Sequence, residues 1–465
     1  MINIQEEENT KIKALLIGSP DVPLTELEGL CKTLEIEVVR SVNLARITPS
    51  PAYGIGSGKA QELSALAKEL KADAIIFDYI LEPRKQRNWE RLSKLAVFDR
   101  QEVILRIFSS RARTKEAVLQ VQLARLEYSL PRLAHMYGDM ARQRGGNYGS
   151  KGSGETQLEL DQRQVYDKIA FVKKQLAQVV KDRSTQQKKR GRTSCPSCAI
   201  VGYTNAGKST LLNALTGADV FTEDKLFATL DPTTRRLDLK EGGSILLTDT
   251  VGFISNLPHS LVNAFKSTLE EAKNADLQLL VLDAGDPNVL EQYKTVISVL
   301  KEINAENSKR LIVLNKTDSL ETTDPHVLQL FAEFPDSIKI SAKTHEGFSI
   351  LTQEICTALL GPVLNFVIPM EKNSLITEIR KNGVLLSEQW LDDGVHVKAR
   401  IGDKYIIQKN EEPLQLQSEQ ENTELPFFEK NKLKQKKTVN RLYSLLEPFI
   451  ENQKTDGGIQ NAESE

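Results

Sequence analysis

The octapeptide Gly-Tyr-Thr-Asn-Ala-Gly-Lys-Ser at 202–209 has the residue types and spacing of a phosphate-binding loop (P-loop). An apolar run at 198–201 precedes it and a helical pattern at 210–215 follows it, and this strand–loop–helix order is the context that such a loop needs. Glycines let backbone N–H groups close around phosphate oxygens at a helix N-terminus, where Lys208 can reach the β- and γ-phosphates. Ser209 is then placed to bind magnesium. Taken alone, the eight residues could also be a Gly-rich turn before a helix.

Further motifs follow in the order that a guanine-nucleotide site requires. One apolar strand ends at Asp249, whose carboxylate can hold magnesium through water, and Gly252 can donate its N–H to the γ-phosphate. Another strand leads into an Asn-Lys-Thr-Asp motif, where the carboxylate of Asp318 can accept from guanine N1 and N2 together, which adenine cannot satisfy. The backbone of 341–343 can reach the guanine carbonyl oxygen. Because each motif stands at a strand end, the sequence predicts a GTP site.

The predicted nucleotide contacts are Gly202, Tyr203, Thr204, Asn205, Ala206, Gly207, Lys208, Ser209, Asp249, Thr250, Val251, Gly252, Asn315, Lys316, Thr317, Asp318, Ser341, Ala342 and Lys343. Of these, Lys208 and Gly252 are the predicted catalytic residues, and Ser209 is a predicted magnesium ligand.

The elements that position these motifs belong to a chain of 465 residues, enough for about three domains at about 150 residues each. Hydrophobic residues make up 40% and charged residues 27%, as in ordinary globular proteins. The N-terminus has no apolar signal segment, and no uncharged run approaches the length of a membrane span. We therefore expect a cytoplasmic protein without stable membrane insertion, with peripheral membrane association left open.

The four cysteines are too few for a disulfide framework in a chain of this length. Cys195 and Cys198 form a C-x-x-C pair, but no second pair stands at zinc-site spacing. Chance spacing is the favoured interpretation, and a redox role is the alternative.

The first 105 residues alternate short apolar runs with helical patterns, which predicts a small parallel sheet with helices packed on it. A second Gly-rich stretch, 53–59, opens one of these helices and ends in Lys59. It matches neither complete phosphate-loop pattern. We interpret it as a tight loop, with RNA contact or a second nucleotide site as alternatives.

The period of the apolar residues changes beyond residue 113. Leucines at 119–130 and apolar residues at 165–179 repeat at spacings of three and four, which predicts an antiparallel helical hairpin. The connection, predicted at 138–154, is rich in glycine and arginine. The segment 106–192 carries 19 Lys+Arg against 8 Asp+Glu, whereas the whole chain has a net charge of −2. A basic block within a near-neutral chain suggests a polyanionic partner such as RNA, with a solvated surface as the alternative.

Beyond the nucleotide motifs, strands at 364–368 and 394–399 around a helix at 372–382 predict a small α+β domain. The sequence then becomes rich in Glu, Gln, Asn and Lys, and one amphipathic helix is predicted at 427–450. The predicted fold class is therefore a multidomain α/β chain. Its predicted parts are an N-terminal parallel α/β domain (1–105), a basic helical hairpin (106–192), a P-loop domain (193–360), a small α+β domain (361–410) and a polar tail with one helix (411–465).

Blocks outside the nucleotide motifs carry a resemblance to a known family. The segments 107–114, 120–124, 130–133 and 152–159 resemble the signature middle region of HflX, a translation-associated family of P-loop GTPases related to Obg-type proteins. The resemblance covers about 12–405. It implies a GTPase that binds the large ribosomal subunit and its rRNA, and that helps to split or recycle stalled or idle ribosomes. We also expect a monomer.

The resemblance also assigns the first switch segment, which it places at Phe227, Ala228, Thr229, Leu230 and Asp231. By similarity, Thr229 is a catalytic residue that completes the magnesium shell with Ser209, although Thr233 and Thr234 lie nearby.

Phe253 stands where Ras-type GTPases place the glutamine that orients the attacking water, so we expect slow turnover of the isolated protein. Asn205 resembles the P-loop asparagine that holds potassium in some related GTPases, which makes K⁺ at this position a hypothesis. Two alternatives remain: a GTPase switch with a protein partner, and an ATP-dependent RNA-remodelling protein.

Overall fold

The computed structural model describes residues 11–20, 22–46, 50–143, 153–190, 195–217, 226–239, 243–255, 266–306, 308–321 and 324–400. The predicted tail at 411–465, the end of the predicted α+β domain and the predicted helix at 427–450 lie outside these residues. None of the described helices has a stretch both long and apolar enough to cross a membrane.

The N-terminal part begins with alternating strands and helices. They are β1 (Lys13–Gly18), α1 (Thr25–Thr33), β2 (Glu37–Asn43), α2 (Ser57–Glu69), β3 (Ala74–Phe77), α3 (Pro83–Ser93), β4 (Ala96–Asp99) and α4 (Arg100–Arg111). All pairings are parallel, and the strand order is β2-β1-β3-β4. Alternate residues of β1 and β3 point to opposite faces, so both faces of this sheet are buried under helices. The predicted parallel α/β domain is confirmed, and β4 is a strand that the sequence pattern did not predict.

Two long helices follow, α5 (Lys115–Gln143) and α6 (Ser153–Arg190). They pack along each other as the predicted hairpin, and Lys173 on α6 forms an ion pair of 2.9 Å with Glu127 on α5. The prediction that 138–154 forms the connection was wrong at both ends, because α5 continues through Gly138 and α6 already begins at Ser153. Helical packing therefore outweighs the glycine content of these turns.

The P-loop domain is built on a second sheet. Its elements are β5 (Ser197–Gly202), α7 (Lys208–Thr216), β6 (Thr233–Asp238), β7 (Ser244–Asp249), α8 (Lys266–Asn274), β8 (Leu277–Asp283), α9 (Val289–Glu302), β9 (Arg310–Asn315), α10 (Pro325–Glu333), β10 (Ile338–Lys339) and α11 (Phe348–Leu360). The strand order is β10-β9-β8-β5-β7-β6, and only β6 is antiparallel to its neighbour. The carboxyl ends of the parallel strands therefore carry the predicted motifs to one edge.

The last described part contains β11 (Val363–Ile368), α12 (Ser374–Asn382), β12 (Val384–Leu391) and β13 (Gly394–Arg400). The strands form an antiparallel sheet in the order β11-β13-β12, and α12 covers it through Ile376 and Ile379. The predicted α+β character is confirmed, with β12 as an additional strand.

One continuous apolar cluster joins the N-terminal domain, the hairpin and the P-loop domain. It includes Ile104 and Phe108 on α4, Val121 on α5, and Phe227 and Phe253 beside the P-loop. The base of the hairpin is thus packed against both α/β domains.

Candidate functional site

The P-loop connects the central strand β5 to α7, and its conformation depends on glycine. Gly207 has φ +89°, and a Cβ atom at this position would lie 2.3 Å from Nδ2 of Asn315. The same Asn315 amide donates to the carbonyl of Ala206 at 2.9 Å. Glycine is therefore required both for the left-handed backbone and for the close approach of the guanine-side motif.

Lys208 is buried at the first position of α7, with only 7% of its surface exposed. Its Nζ donates to the carbonyl of Tyr203 at 2.6 Å. Burial lowers the pKa of Lys208 to about 8, and the carboxylate of Asp249 partly offsets this effect. The amine is thus held in a position that favours an anionic ligand, since a phosphate would restore the charge that burial disfavours.

Three oxygen-bearing side chains from separate elements meet beside Lys208. Oγ of Ser209 donates to Oδ2 of Asp249 at 2.5 Å and lies 2.8 Å from Oγ1 of Thr229. Thr234 is engaged elsewhere, because its hydroxyl pairs with that of Thr248 at 2.9 Å. The structure therefore brings Thr229, and not Thr234, to Ser209.

The chemistry of this oxygen cluster fits a hard divalent cation. Asp249 is fully buried, and its Oδ1 has no hydrogen-bond partner among the described residues. Burial raises the pKa of Asp249, while Lys208 and the hydroxyl donors act in the opposite direction. Hydroxyl and carboxylate oxygens are ligands that magnesium accepts directly or through water. Ser209, Thr229 and Asp249 are the residues that would hold it.

The second switch segment, 251–255, lies directly on the P-loop. The N–H of Thr204 donates to the carbonyl of Phe253 at 2.7 Å, and the N–H of Phe253 donates to Gly202 at 3.1 Å. A Cβ atom at Gly252 would lie 2.9 Å from Cα of Thr204, so only glycine permits this approach. The cavity between the P-loop and the two switch segments measures about 50 Å³, whereas ligand sites usually measure about 300–1,000 Å³. The P-loop and the two switch segments are thus packed closely on one another.

The guanine side of the site is assembled from two strand ends. Oδ1 of Asn315 accepts from the N–H of Ala342 at 2.9 Å, and Oγ of Ser341 donates to Oδ1 of Asp318 at 2.7 Å. Lys316 has φ +65° and pairs with Asp283 at 2.7 Å. The Asn-Lys-Thr-Asp and Ser-Ala-Lys motifs thus orient each other, and Ser341 holds the carboxylate of Asp318 in place.

Some predicted contacts have side chains that serve the fold. The hydroxyl of Thr250 donates to the carbonyl of Ile200 at 2.7 Å, and the side chains of Val251, Phe227 and Leu230 belong to the apolar core. Asp231 is directed at the start of α5. For Thr250, Val251, Phe227 and Leu230, only the backbone groups therefore remain to contact a nucleotide.

A buried polar network joins this site to the N-terminal domain. Glu26 on α1 accepts from the hydroxyls of Tyr203 and Ser255, and it pairs with Arg100 on α4. Arg100 also pairs with Asp78 at 2.6 Å. Sequence reasoning missed this network because Glu26 and Tyr203 are 177 positions apart and neither belongs to a local pattern.

The C-x-x-C pair lies at the start of β5, and among the described residues no group of three or more His, Cys, Asp or Glu side chains could hold a metal ion. Sγ of Cys195 donates to the carbonyl of Ser244 at 3.0 Å. Cys198 is buried, and burial raises the pKa of its thiol, which disfavours the reactive thiolate.

The chain is similar in sequence to known GTPases over most of its length. Family models described as "GTP-binding GTPase N-terminal", "GTP-binding GTPase Middle Region" and "50S ribosome-binding GTPase" match residues 21–109, 111–190 and 197–316. "GTPase HflX" of Akkermansia muciniphila is 40% identical over 420 residues, covering 86% of this chain and 96% of that protein. The protein of the same name from Escherichia coli K12 is 40% identical over 373 residues, covering 80% and 87%. A solved GTP-binding protein from Sulfolobus solfataricus, in complex with GDP, is 26% identical over 75% of this chain and 98% of its own, with a TM-score of 0.39.

Proposed function

This chain belongs to the HflX family of GTPases, and we propose that it is a ribosome-binding factor that uses GTP to control the docking of its basic helical hairpin on the large subunit. The observation that carries the proposal is the contact between the nucleotide site and the hairpin base. Both switch segments of the P-loop domain pack into the apolar cluster that also holds α4 and α5. A movement of either switch segment on a change of nucleotide would therefore act directly on the residues that pack the base of the hairpin.

In the proposed reaction, three residues act on the γ-phosphate. Nζ of Lys208 neutralises charge on the β- and γ-phosphates, and the N–H of Gly252 donates to a γ-phosphate oxygen. Thr229 senses the same phosphate. Magnesium held by Ser209, Thr229 and Asp249 would supply charge neutralisation to the phosphates. Oγ of Ser209 lies within hydrogen-bond distance of both Thr229 and Asp249, so the residues that would hold the cation are already adjacent.

Water activation is the step for which the chain lacks a residue at the usual position. The side chain of Phe253 is 2% exposed and packs in the apolar cluster, so it cannot orient water by hydrogen bonding. We expect slow hydrolysis by the isolated protein and stimulation by the ribosome. Asn205, exposed in the loop with φ +61°, is the candidate position for potassium. A higher hydrolysis rate in potassium than in sodium buffer would support that role, and equal rates would contradict it.

The ribosomal partner is supported by charge and by family. The hairpin segment 106–192 carries 19 basic against 8 acidic residues, which favours a phosphate backbone. The family model that matches the P-loop domain is described as a 50S ribosome-binding GTPase. Contact with large-subunit rRNA, splitting or recycling of stalled or idle ribosomes, and the monomeric state are parts of the same proposal.

The division of labour in this proposal follows the predicted domains. Residues 193–360 bind and hydrolyse GTP, residues 106–192 contact RNA, and residues 1–105 support the hairpin base. The α+β segment 361–410 and the tail 411–465 are accessory parts.

Sedimentation with purified ribosomal subunits tests the proposal. In a non-hydrolysable GTP analogue, we expect the full chain to move with the large subunit, and in GDP to remain near the top of the gradient. A second sample with 144–152 replaced by a short Gly-Ser linker tests the tip of the hairpin. A wild-type chain that stays at the top of the gradient in both nucleotides would remove the ribosomal partner and leave the protein-partner alternative.

A further inference from the structure

The first switch segment is attached to parts of the molecule outside the P-loop domain on both sides of Thr229. Two residues before it, the ring of Phe227 is buried and packs edge-to-face on Phe108 of α4, with ring centroids 4.7 Å apart. Phe227 has φ +57°, a conformation that costs a phenylalanine free energy and persists only where the surroundings fix it. Leu226 lies against Gly29 of α1, where an added Cβ would be 2.9 Å from its Cδ1.

Two residues after Thr229, Asp231 is bound to Arg113 and Thr114, the two residues that lead into hairpin helix α5. Its Oδ2 accepts from the N–H groups of Arg113 and Thr114 at 3.0 and 3.1 Å. Its Oδ1 accepts from the hydroxyl of Thr114 at 2.5 Å. The same hydroxyl accepts from the N–H of Ala117 at 3.2 Å. Asp231 thus satisfies N–H groups at the N-terminus of α5, where a carboxylate is also favoured by the helix dipole.

The length of chain between these anchors limits how far Thr229 can move. Two residues span at most about 7 Å when fully extended. The hydroxyl of Thr229 lies 2.8 Å from Oγ of Ser209, in the cavity between the P-loop and the two switch segments. Any displacement of Thr229 by several ångströms therefore pulls on Asp231 and on the first turn of α5.

We propose that Asp231 is a positioning residue for GTP hydrolysis, which holds Thr229 at the magnesium side of the site by binding the N-terminus of hairpin helix α5. The converse follows from linkage: a nucleotide that fixes Thr229 also stabilises the first turn of the hairpin. The inference concerns GTP hydrolysis by the chain itself and does not depend on the ribosome.

The first test compares Asp231→Ala with a matched control in the full-length protein. Asp238 is also a carboxylate of the adjoining strand, but it pairs locally with Arg236. We expect Asp231→Ala to lower kcat for GTP by about tenfold, the effect of losing hydrogen bonds to a charged group. The dissociation constant for GDP should stay within about twofold, because GDP has no γ-phosphate for Thr229 to sense. Asp238→Ala should match the wild type in both measurements.

Hydrogen exchange supplies a readout that does not rely on activity. In the wild type and in Asp238→Ala, the amides of 113–118 should exchange more slowly with a non-hydrolysable GTP analogue than with GDP. In Asp231→Ala this difference between nucleotides should disappear. A purely structural role would instead raise exchange equally in both nucleotides, and that result would overturn the proposal, as would wild-type kcat in Asp231→Ala.

A second pair of variants keeps the test decisive if Asp231→Ala fails to fold. Thr114→Ser retains the hydroxyl that donates to Asp231, whereas Thr114→Val removes it. We expect Thr114→Ser to keep the wild-type kcat and the nucleotide-dependent exchange, and Thr114→Val to lower kcat and to reduce that difference in exchange, because only the two backbone donors to Asp231 remain. Equal behaviour of these two variants would overturn the proposal.

Discussion

The N-terminal sheet and the P-loop sheet have similar architecture, but the carboxylates at their carboxyl edges have different surroundings. In both, buried strands end in carboxylates: Asp78 follows β3 and Asp99 ends β4, while Asp249 ends β7 and Asp283 ends β8. Such edges are where open α/β sheets usually bind ligands. The difference between the sheets is whether the protein itself satisfies these polar groups.

In the N-terminal sheet, donors from the protein itself satisfy the carboxylate at the carboxyl edge. Asp99 accepts from Tyr128 at 2.9 Å, from Arg132 at 3.0 Å, and from the N–H groups of Leu81 and Glu102. Tyr128 and Arg132 come from α5, so the hairpin occupies the place that a ligand would need. The edge has become a scaffold that fixes the hairpin.

In the P-loop sheet, one carboxylate oxygen has no hydrogen-bond partner among the residues that the structure describes. Oδ1 of Asp249 is buried and unsatisfied among the described residues, and the buried Lys208 stands beside it. A buried polar atom without a partner costs about 1–3 kcal/mol. That cost is retained at the edge where a nucleotide and its cation would supply the missing interactions.

The largest effect is expected when the lysine of each Gly-rich loop is replaced by alanine in turn. We expect Lys208→Ala to lower kcat/KM for GTP by about 10³-fold, because the main cation for the β- and γ-phosphates is lost. Lys59→Ala, the matched change in the N-terminal loop, should leave GTP hydrolysis unchanged. Steady-state phosphate release measures both. ATP hydrolysis that survived Lys208→Ala would instead indicate a second nucleotide site.

The next test concerns the base. Asp318→Asn should weaken GTP binding by about 10²-fold, because an amide cannot accept from both guanine nitrogens. The variant should favour xanthosine triphosphate, whose base offers the complementary groups. Competition titrations with a fluorescent nucleotide give both affinities. Unaltered GTP affinity would contradict the assignment of Asp318, and Asp286→Asn serves as a control at a partly exposed carboxylate nearby.

A smaller effect is expected where the edge is already filled. Asp99→Asn should lower the free energy of unfolding by about 2 kcal/mol, since hydrogen bonds to a charged group are weakened. GDP affinity should not change. Denaturant unfolding followed by circular dichroism measures the loss, with Asp73→Asn, an exposed carboxylate of the same domain, as the control. A loss of GDP affinity without a loss of stability would mean that this edge also serves the nucleotide.

The smallest expected effect is the uptake of a proton by Lys208 when a nucleotide binds. Because the folded pKa of Lys208 is about 8 and the ordinary value is 10.5, the folded nucleotide-free protein binds fewer protons than the unfolded chain between these values. Its free energy of unfolding therefore rises with pH through that window. A phosphate should raise the pKa again, while Asp249 is the charged group that already faces the amine.

Isothermal titration calorimetry in buffers of different ionisation enthalpy measures the number of protons that the protein takes up when GDP binds. GDP binding at pH 8.5 should take up about half a proton or more. At pH 6.5 the uptake should vanish, because Lys208 is already charged there. Equal uptake at the two pH values would show that another group titrates.

Much of the fold and site could be predicted from sequence because the signals are local. The P-loop and the Asn-Lys-Thr-Asp motif are contiguous, and β8 is a continuous buried run. The strand β6 was missed because its Thr-Thr-Arg-Arg-Leu-Asp sequence is largely exposed and has no apolar pattern. β12 was missed because a register shift between Leu385 and Ser387 interrupts its alternation.

The contacts that sequence could not predict are those between distant parts of the chain. The hydrogen bond between Glu26 and Tyr203 and the one between Asp231 and Thr114 form only after the N-terminal domain, the hairpin and the P-loop domain have packed together. Single polar residues at such separations leave no periodic signal, since their role depends on the tertiary structure.

The apolar cluster that runs from α4 through α5 to the P-loop has a consequence for unfolding. Side chains such as Phe108 and Phe253 bury their surface against partners from different domains, so neither α/β unit keeps its full stability when the other opens. We therefore expect one cooperative transition for these parts in calorimetry. Nucleotide concentration should then shift the melting temperature of the hairpin base as well as that of the P-loop domain, because ligand binding stabilises every element that unfolds in the same step.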